Sequence, residues 1–456
     1  NELYMVEKMC ANAALAGLLD YPRDRLYEAQ CDLMEAEFHD ILPGSSIQAV
    51  EDAGLRLMDH GLELLSRLKA RAFFAHAAGQ PKAEGDTIPV LVYNPHPYPV
   101  DTVVSCEFNL PDRHDEAVFI DFNAVMNGVP ILCQVEKEAG NIPLEWRKRC
   151  VFRATLAPSQ ISRIDCTPRQ QTEKPVPRLK SVGKSLHFKT AALEVLINTE
   201  TGLVDRFCVN GREVLKPNAF TPLVMRDNED PWSMLEKHYR EVTGRFTLMT
   251  PEAGTSFSGL KLHMPLPSLR VIEDGPVRTV VEAIMAYNRS FLVLTYRLPK
   301  EGSEVEVHVR VHWNEKDKAL KLALPTVFSG CEYRGQVAYG RDNLPGKERE
   351  VVAQKWVAAV SKARDMALTC INDGLYGSDC PNNEIRLTLL RSPAYSAHPF
   401  GNRKTLPQDR YMPRIDQGER QFTFWINAGP VEDRMNRVER EALSHKIGRA
   451  SCRERV

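Results

Sequence analysis

Glu304-Val305-Glu306-Val307-His308-Val309-Arg310-Val311-His312-Trp313 alternates without a break. Every odd position is apolar, and every even position carries a charge or an imidazole. Successive side chains of a strand point to opposite faces, so a period of two predicts a strand buried on one face and wetted on the other. Antiparallel sheets have such strands, whereas parallel sheets are covered on both faces and read as continuous apolar runs. His308 and His312, four residues apart on such a strand, would stand about 13 Å apart. They cannot chelate one ion and read as surface residues. Phe291-Leu292-Val293-Leu294 and Phe422-Thr423-Phe424-Trp425-Ile426 are further strands. Few helical stripes interrupt residues 178–445, so a large β-sandwich is expected there.

Upstream, shorter apolar runs repeat around Val90, Val103, Val118, Ile131 and Val151, with Asn94-Pro95 closing the first. They predict a smaller β-sandwich over 88–166. Two polar, breaker-rich stretches, Gly79–Asp86 and Thr167–Pro177, read as linkers. Residues 1–78 change period. Leu3, Val6, Cys10, Ala13 and Gly17 recur at three and four, as do Leu26, Ala29, Leu33 and Ala36 after Pro22. Val50, Leu57, Leu64, Leu68 and Ala72 mark a third, longer helix, and Ser45-Ser46-Ile47-Gln48 can form a capping box at its start. The short connections predict a three-helix bundle, entered already inside its first helix. The fold class is therefore α+β multidomain: a truncated N-terminal three-helix bundle, then all-β sandwich domains.

Bulk composition excludes several classes. The chain has 456 residues, 43% hydrophobic and 26% charged, which suits roughly two to four soluble domains. The formal net charge is -1 with no basic block, so no nucleic-acid partner is expected. No window reaches 18 consecutive apolar residues, so no membrane partner is expected. The 11 Cys are scattered singly, with no C-x-x-C pair. Reduced buried thiols in a cytoplasmic protein are the expectation. The tail Ile447–Val456 resembles a translated sequencing adapter and is set aside from fold reasoning.

Between the second and third helices lies Glu37-Phe38-His39-Asp40-Ile41-Leu42-Pro43-Gly44-Ser45-Ser46-Ile47. It sets a metal-capable imidazole beside a carboxylate where a helix ends, then turns through Pro43-Gly44. A neutral His is a good zinc ligand, but zinc needs about four ligands. A His interacting with the negative end of a helix dipole explains the pair as well. Ser45 and Ser46 read as caps rather than nucleophiles, for no His-Asp partner pattern accompanies them.

The same stretch resembles the Gln-Phe-His-Asp-Ile-Leu-Pro-Gly-Ser-Ser-Ile signature of glycoside hydrolase family 38, the retaining α-mannosidases, with Glu37 in place of Gln. Further segments resemble the family in order: Asn94-Pro95, Glu273-Asp274-Gly275-Pro276-Val277-Arg278, His312-Trp313-Asn314-Glu315-Lys316, Gln354-Lys355-Trp356-Val357, Leu375-Tyr376-Gly377 and Leu389-Leu390-Arg391-Ser392-Pro393-Ala394-Tyr395. The resemblance covers roughly residues 1–445, the middle and C-terminal parts of a family member, and implies a galactose-mutarotase-like large sandwich. It implies one Zn2+ ion, with His39 as the ligand given by the helical region and Asp40 lining the sugar subsite. The other ligands, the nucleophile and the general acid would lie in an N-terminal α/β domain, so no catalytic residue is assigned in this chain. The implied substrate is a mannose-containing oligosaccharide, and family members often assemble as homo-oligomers. The chain alone is expected to be inactive.

Two further groups are candidates for distant sugar subsites. Asp227, Asp230, Pro231 and Trp232 form an acidic-aromatic loop whose indole suits stacking on a sugar, although an anchored surface loop explains it equally. Arg391, Tyr395 and His398 sit in the Leu-Leu-Arg-Ser-Pro-Ala-Tyr segment, for which structural packing is the alternative. A non-catalytic carbohydrate-binding β module, centred on Trp232 or Tyr395, is the other functional reading.

Overall fold

The computed structural model describes residues 1–110, 119–138, 147–236, 238–396 and 410–445. The chain is mostly β-sheet with few helices. His398, Cys452 and the 447–456 tail lie outside the described residues.

Three helices open the chain: α1 (Glu2–Leu15), α2 (Arg23–Ala36) and α3 (Gln48–Ala77). Helix α1 buries Met5, Val6, Met9, Cys10 and Ala13, the three-and-four spacing of one face. Helices α1 and α2 both pack on α3. At Gly61 of α3 an added Cβ would stand 3.5 Å from the Ala29 carbonyl of α2. His60 Nδ1 meets the Asp32 carboxylate at 2.8 Å across the same seam. At the far end of α3, His76 stacks on Tyr93 with ring centroids 4.9 Å apart, and Asn12 Nδ2 donates to the Tyr93 hydroxyl at 2.7 Å. The helices thus seat directly on the strand Ile88–Tyr93.

That strand opens a small sandwich. Ile88–Tyr93, Ile161–Gln171, Phe119–Met126 and Val129–Ile131 form one sheet; Val100–Asn109, Arg147–Leu156 and Cys133–Glu136 form the other. Val90, Phe108, Phe122, Phe152 and Ile164 fill the space between. The predicted linker at Thr167 is corrected here, since strand Ile161–Gln171 runs on to Gln171. Beyond Cys166 this strand pairs only with Phe119–Met126. Its other edge is then open, which accommodates Pro168 and its missing N–H.

The remaining chain builds a large sandwich from sheets of five, six and ten strands among the described residues. Val305–Trp313 lies inside the ten-stranded sheet, between Ser290–Pro299 and Gly418–Gly429. Val305, Val307, Val309, Val311 and Trp313 are at most 1% exposed and join a core containing Phe207, Phe220, Tyr296 and Phe424. Gly418–Gly429 also pairs with Met366–Asn372, so a strand late in the chain completes the middle of the sheet. After the short α4 (Pro251–Phe257), the last element among the described residues is α5 (Val431–Ser444). Helix α5 packs Met435, Val438 and Ala442 on Trp356, Ala358 and Ile371 on the outer side of that sheet. This helix departs from the continuous strand pattern expected up to residue 445. Met435, Val438 and Ala442 carry helical spacing, with Glu432 and Asp433 in the first turn.

One buried ion pair binds the two sandwiches. Arg278 Nε and Nη2 meet Glu136 at 2.7 and 2.6 Å, and Gln134 Oε1 accepts from the backbone of Val277 and Arg278 at 3.1 and 3.0 Å. Added bulk at Gly275 would run into the Gln134 amide, which accounts for glycine there.

Candidate functional site

Helix α2 stops at Ala36, and the chain then folds back through overlapping turns. Ile41 N donates to the Phe38 carbonyl at 2.8 Å, and Gly44 N donates to that of Ile41 at 3.0 Å. Gly44 takes φ of 74°, the left-handed conformation that glycine adopts without penalty. Ile41 anchors the loop: its Cγ2 lies where a Cβ on Gly54 of α3 would come within 2.9 Å. His39 and Asp40 project outward, with side chains 75% and 41% exposed and Nε2 standing 3.6 Å from Oδ2. The Phe38 ring packs beside the imidazole, centroids 4.2 Å apart.

The predicted capping box is not formed. Ile47 is the N-cap of α3, in extended conformation, with no side-chain cap bond. Ser45 is buried instead, and its hydroxyl has no partner among the described residues. Tight packing of Ile41 on Gly54 draws the chain across the helix start, leaving Ser45 beneath it rather than over the free N–H groups.

The first turn of α3 meets the large sandwich. The Tyr395 hydroxyl faces Glu51; burial and the charges of Glu51, Asp52 and Asp416 push its pKa up. Burial also pushes the Asp416 carboxyl up; Arg420 opposes this and Glu51 adds to it. Several bonds fix the Tyr395 segment. Ile415 N donates to the Pro393 carbonyl at 3.0 Å, Ser392 N to Lys318 at 2.9 Å, and Arg414 Nε to Asp317 at 2.7 Å.

The Trp232 loop is tied to the same segment. Ala394 N donates to the Glu229 carbonyl at 3.0 Å. Arg391 grips Asp227 with two hydrogen bonds of 2.8 and 2.9 Å and also donates to Ser233 Oγ and the Asp230 carbonyl. Its guanidinium lies 4.6 Å from the Tyr239 ring centroid. Desolvation raises the Asp227 pKa despite the arginine. Asp230 is fully buried and accepts from the backbone of Trp232, Met234 and Leu235 at 2.9, 2.6 and 3.2 Å. The loop is therefore held from inside, while Trp232 remains 41% exposed.

The sequence-predicted residues thus fall into one linked series. The His39-Asp40 loop rests on α3, α3 holds Tyr395, and the Tyr395 segment holds the Trp232 loop. His308 and His312 lie apart from it on the outer face of their strand. His308 is half-buried rather than fully at the surface, and desolvation and Arg297 lower its pKa. Glu51, Asp416 and Tyr239 escaped sequence reasoning. An acid in a first helical turn reads as a dipole partner, and nothing local marks the other two.

Zinc can be weighed against these residues. Among the described residues, no three His, Cys, Asp or Glu side chains converge as metal ligands. One exposed imidazole beside one carboxylate suits a zinc ligand but does not complete a four-ligand site. No helix among the described residues is long and apolar enough to cross a membrane.

Comparison with known proteins agrees with this architecture. Residues 189–408 match the family described as Glycosyl hydrolases family 38 C-terminal domain. Mouse alpha-mannosidase 2C1 is 23% identical over 394 residues, which is 82% of this chain and 32% of that protein. Alpha-mannosidase G of Dictyostelium discoideum is 25% identical over 182 residues, 36% of this chain and 15% of that protein. The chain therefore spans about a third or less of the curated relatives it matches. A glycosyl hydrolase family 38 protein from Enterococcus faecalis superposes with TM-score 0.76 at 14% identity, covering 100% of this chain and 58% of that one. An α-mannosidase from Enterococcus faecalis superposes at 0.70 and 12% identity, covering 98% and 55%. Residues 189–408 thus match the C-terminal domain of glycoside hydrolase family 38, and the chain as described shares the fold of solved proteins of that family.

Proposed function

We propose that this chain forms the helical and β-sandwich part of a zinc-dependent retaining α-mannosidase that releases terminal α-D-mannose from oligosaccharides. The observation that supports it best is the linked series from His39-Asp40 through Glu51 and Tyr395 to Trp232, which sets the family's helical motif against its C-terminal domain. His39 would give one nitrogen ligand to the metal. Asp40, a carboxylate facing solvent, would accept hydrogen bonds from sugar hydroxyls. Trp232 would offer an aromatic face to more distant sugar units, held in place by Asp230 and by the Arg391–Asp227 pair. In this reading Arg391 and Tyr395 position the subsite, since both are engaged with protein partners.

Retaining hydrolysis needs two carboxyl groups about 5–5.5 Å apart, one as nucleophile and one as acid. No residue of this chain is assigned to either role, and the described residues do not complete a zinc site. The 456-residue chain alone is therefore expected not to hydrolyse p-nitrophenyl α-D-mannoside. A protein extended on its N-terminal side to the length of its relatives should do so, and should lose the activity on His39→Ala. Turnover by the chain alone, or an extended protein indifferent to His39→Ala, would refute the reading.

A further inference from the structure

Strand Lys318–Pro325 of the six-stranded sheet sends Leu320, Leu322 and Leu324 into the core between the sheets, which leaves Lys321 on the opposite face. That face is covered too. Ala319 and Ala323, on either side of Lys321, pack in an apolar cluster with Leu223, Met225 and Tyr239. Thr388 of strand Glu384–Arg391 stands opposite Lys321, and beyond that strand Asp379 ends strand Gly377–Asp379. Lys321 Nζ donates to Asp379 Oδ1 at 2.9 Å, and both side chains are 0% exposed. The same Nζ donates to one oxygen of Glu350, whose other oxygen accepts from the Thr388 hydroxyl.

As an ion pair this arrangement is incomplete. Asp379 Oδ2 is shut off from solvent with no hydrogen-bond partner among the described residues. Arg240 Nε stands 3.6 Å from it, beyond hydrogen-bond reach, and is itself unbonded. The buried Glu136 differs, since Arg278 bonds both of its oxygens. A carboxylate in a dry interior is costly unless it is fully paired and hydrogen-bonded. Burial accordingly pushes the Asp379 carboxyl up, against the charge of Lys321. An amide between Nζ and Cγ would remove both charges and discard the oxygen that has no partner. The amine already touches the carboxyl, so the reaction needs no encounter step. Glu350 is within hydrogen-bond reach of the proton that must move.

We propose that Lys321 and Asp379 condense into an isopeptide bond that staples strand Lys318–Pro325 to strand Gly377–Asp379, with Glu350 carrying the protons. Glu350 takes one proton from the Lys321 ammonium. The freed lone pair on Nζ attacks Asp379 Cγ, and the C–N bond forms. Glu350 hands its proton to the carboxyl oxygen that is to leave, then carries a second proton from Nζ to the same oxygen. The C–O bond breaks and water departs. Ammonium and carboxylate become one amide and one water, with no change of oxidation state. The N–H that remains still faces Glu350. The bond would tie together residues 58 apart in the chain and, like a disulfide, restrict the unfolded chain. This inference stands on the sandwich alone and does not depend on the mannosidase reading.

The test is the intact mass of the full chain in denaturant, followed by peptide mapping. The expected mass lies below that of the sequence by one water. A tryptic digest should give a branched peptide containing Lys321 and Asp379, and Lys321 should resist both trypsin and acetylation in denaturant. Lys321→Arg and Asp379→Ala should restore the full mass, and Glu350→Gln should leave the chain unlinked. Asp379→Asn should lose one ammonia in place of one water, because the leaving group has changed. The proposal is overturned if the wild-type chain has its full mass and Lys321 is acetylated and cleaved, a result that needs no variant to fold. It is equally overturned if water is lost but Lys321→Arg still loses it, as a succinimide at an aspartate would.

Discussion

The large sandwich and the helical region bury their apolar side chains to very different degrees. Along Val305–Trp313 every apolar residue points into a core between sheets and is shut off from water. In the His39-Asp40 loop, Phe38, Leu42 and Ile47 are 53%, 65% and 53% exposed, and Leu55 and Leu62 of α3 add to that face. A sheet two residues in period has one inside and one outside, so its pattern and its burial coincide. A helix of 30 residues offers several faces, and α3 spends two of them on α1 and α2 while leaving a third apolar. The sandwich therefore satisfies its own sequence. The helical region carries apolar residues that its own packing does not cover, and the candidate site lies on that side.

This contrast can be broken at several points. The largest expected effect is Trp313→Ala in the sandwich, which should cost about 3–5 kcal/mol of unfolding free energy in urea. Leu42→Ser in the exposed loop should stay within about 0.5 kcal/mol. Comparable losses for the two would erase the distinction. Next in size is Arg391→Met, which strands the fully buried Asp227 carboxylate and should cost about 3 kcal/mol. It should also loosen the Trp232 loop, visible as a red shift in tryptophan emission. Removing the link between the regions should matter less. Tyr395→Phe removes the hydroxyl that faces Glu51, at a cost of about 1 kcal/mol, and should speed amide exchange in residues 37–52 while leaving Val305–Trp313 protected. Unchanged exchange in 37–52 would show that the contact does not steady the loop.

The smallest effect concerns pH. His96 is buried against Tyr98, ring centroids 5.2 Å apart, and desolvation and the charge of Lys8 lower its pKa. The unfolded chain therefore binds that proton more readily than the folded one. This contribution to stability is complete above the unfolded value of about 6.5 and is lost as pH falls below it. The urea midpoint should drop between pH 7 and pH 5, and His96→Gln should flatten that drop. A midpoint rising toward pH 5, and equally so in His96→Gln, would contradict the sign.

Regular patterns were legible in the sequence, and contacts between distant segments were not. The alternation at Glu304–Trp313 and the stripes of α1 and α2 led directly to the observed elements, because local periodicity determines which side faces inward. Helix α5 was readable too, since Met435, Val438 and Ala442 carry the period, but it was hidden among strands. The failures lie where a distant partner decides. Ser45 looked like a cap until Ile41 met Gly54, and Thr167 looked like linker until Phe119–Met126 paired with it. Arg391 looked available to a ligand, yet Asp227, 164 residues earlier in the chain, holds it. Tyr395 likewise finds Glu51 across the junction of the two regions. No local signal announces such pairs.

Calorimetric titration of zinc into this chain tests the central claim most directly. If His39 is one ligand of a metal site that these residues do not complete, micromolar zinc should give no saturable one-to-one binding, and His39→Ala should leave the trace unchanged. Stoichiometric zinc uptake that His39→Ala abolishes would contradict the account.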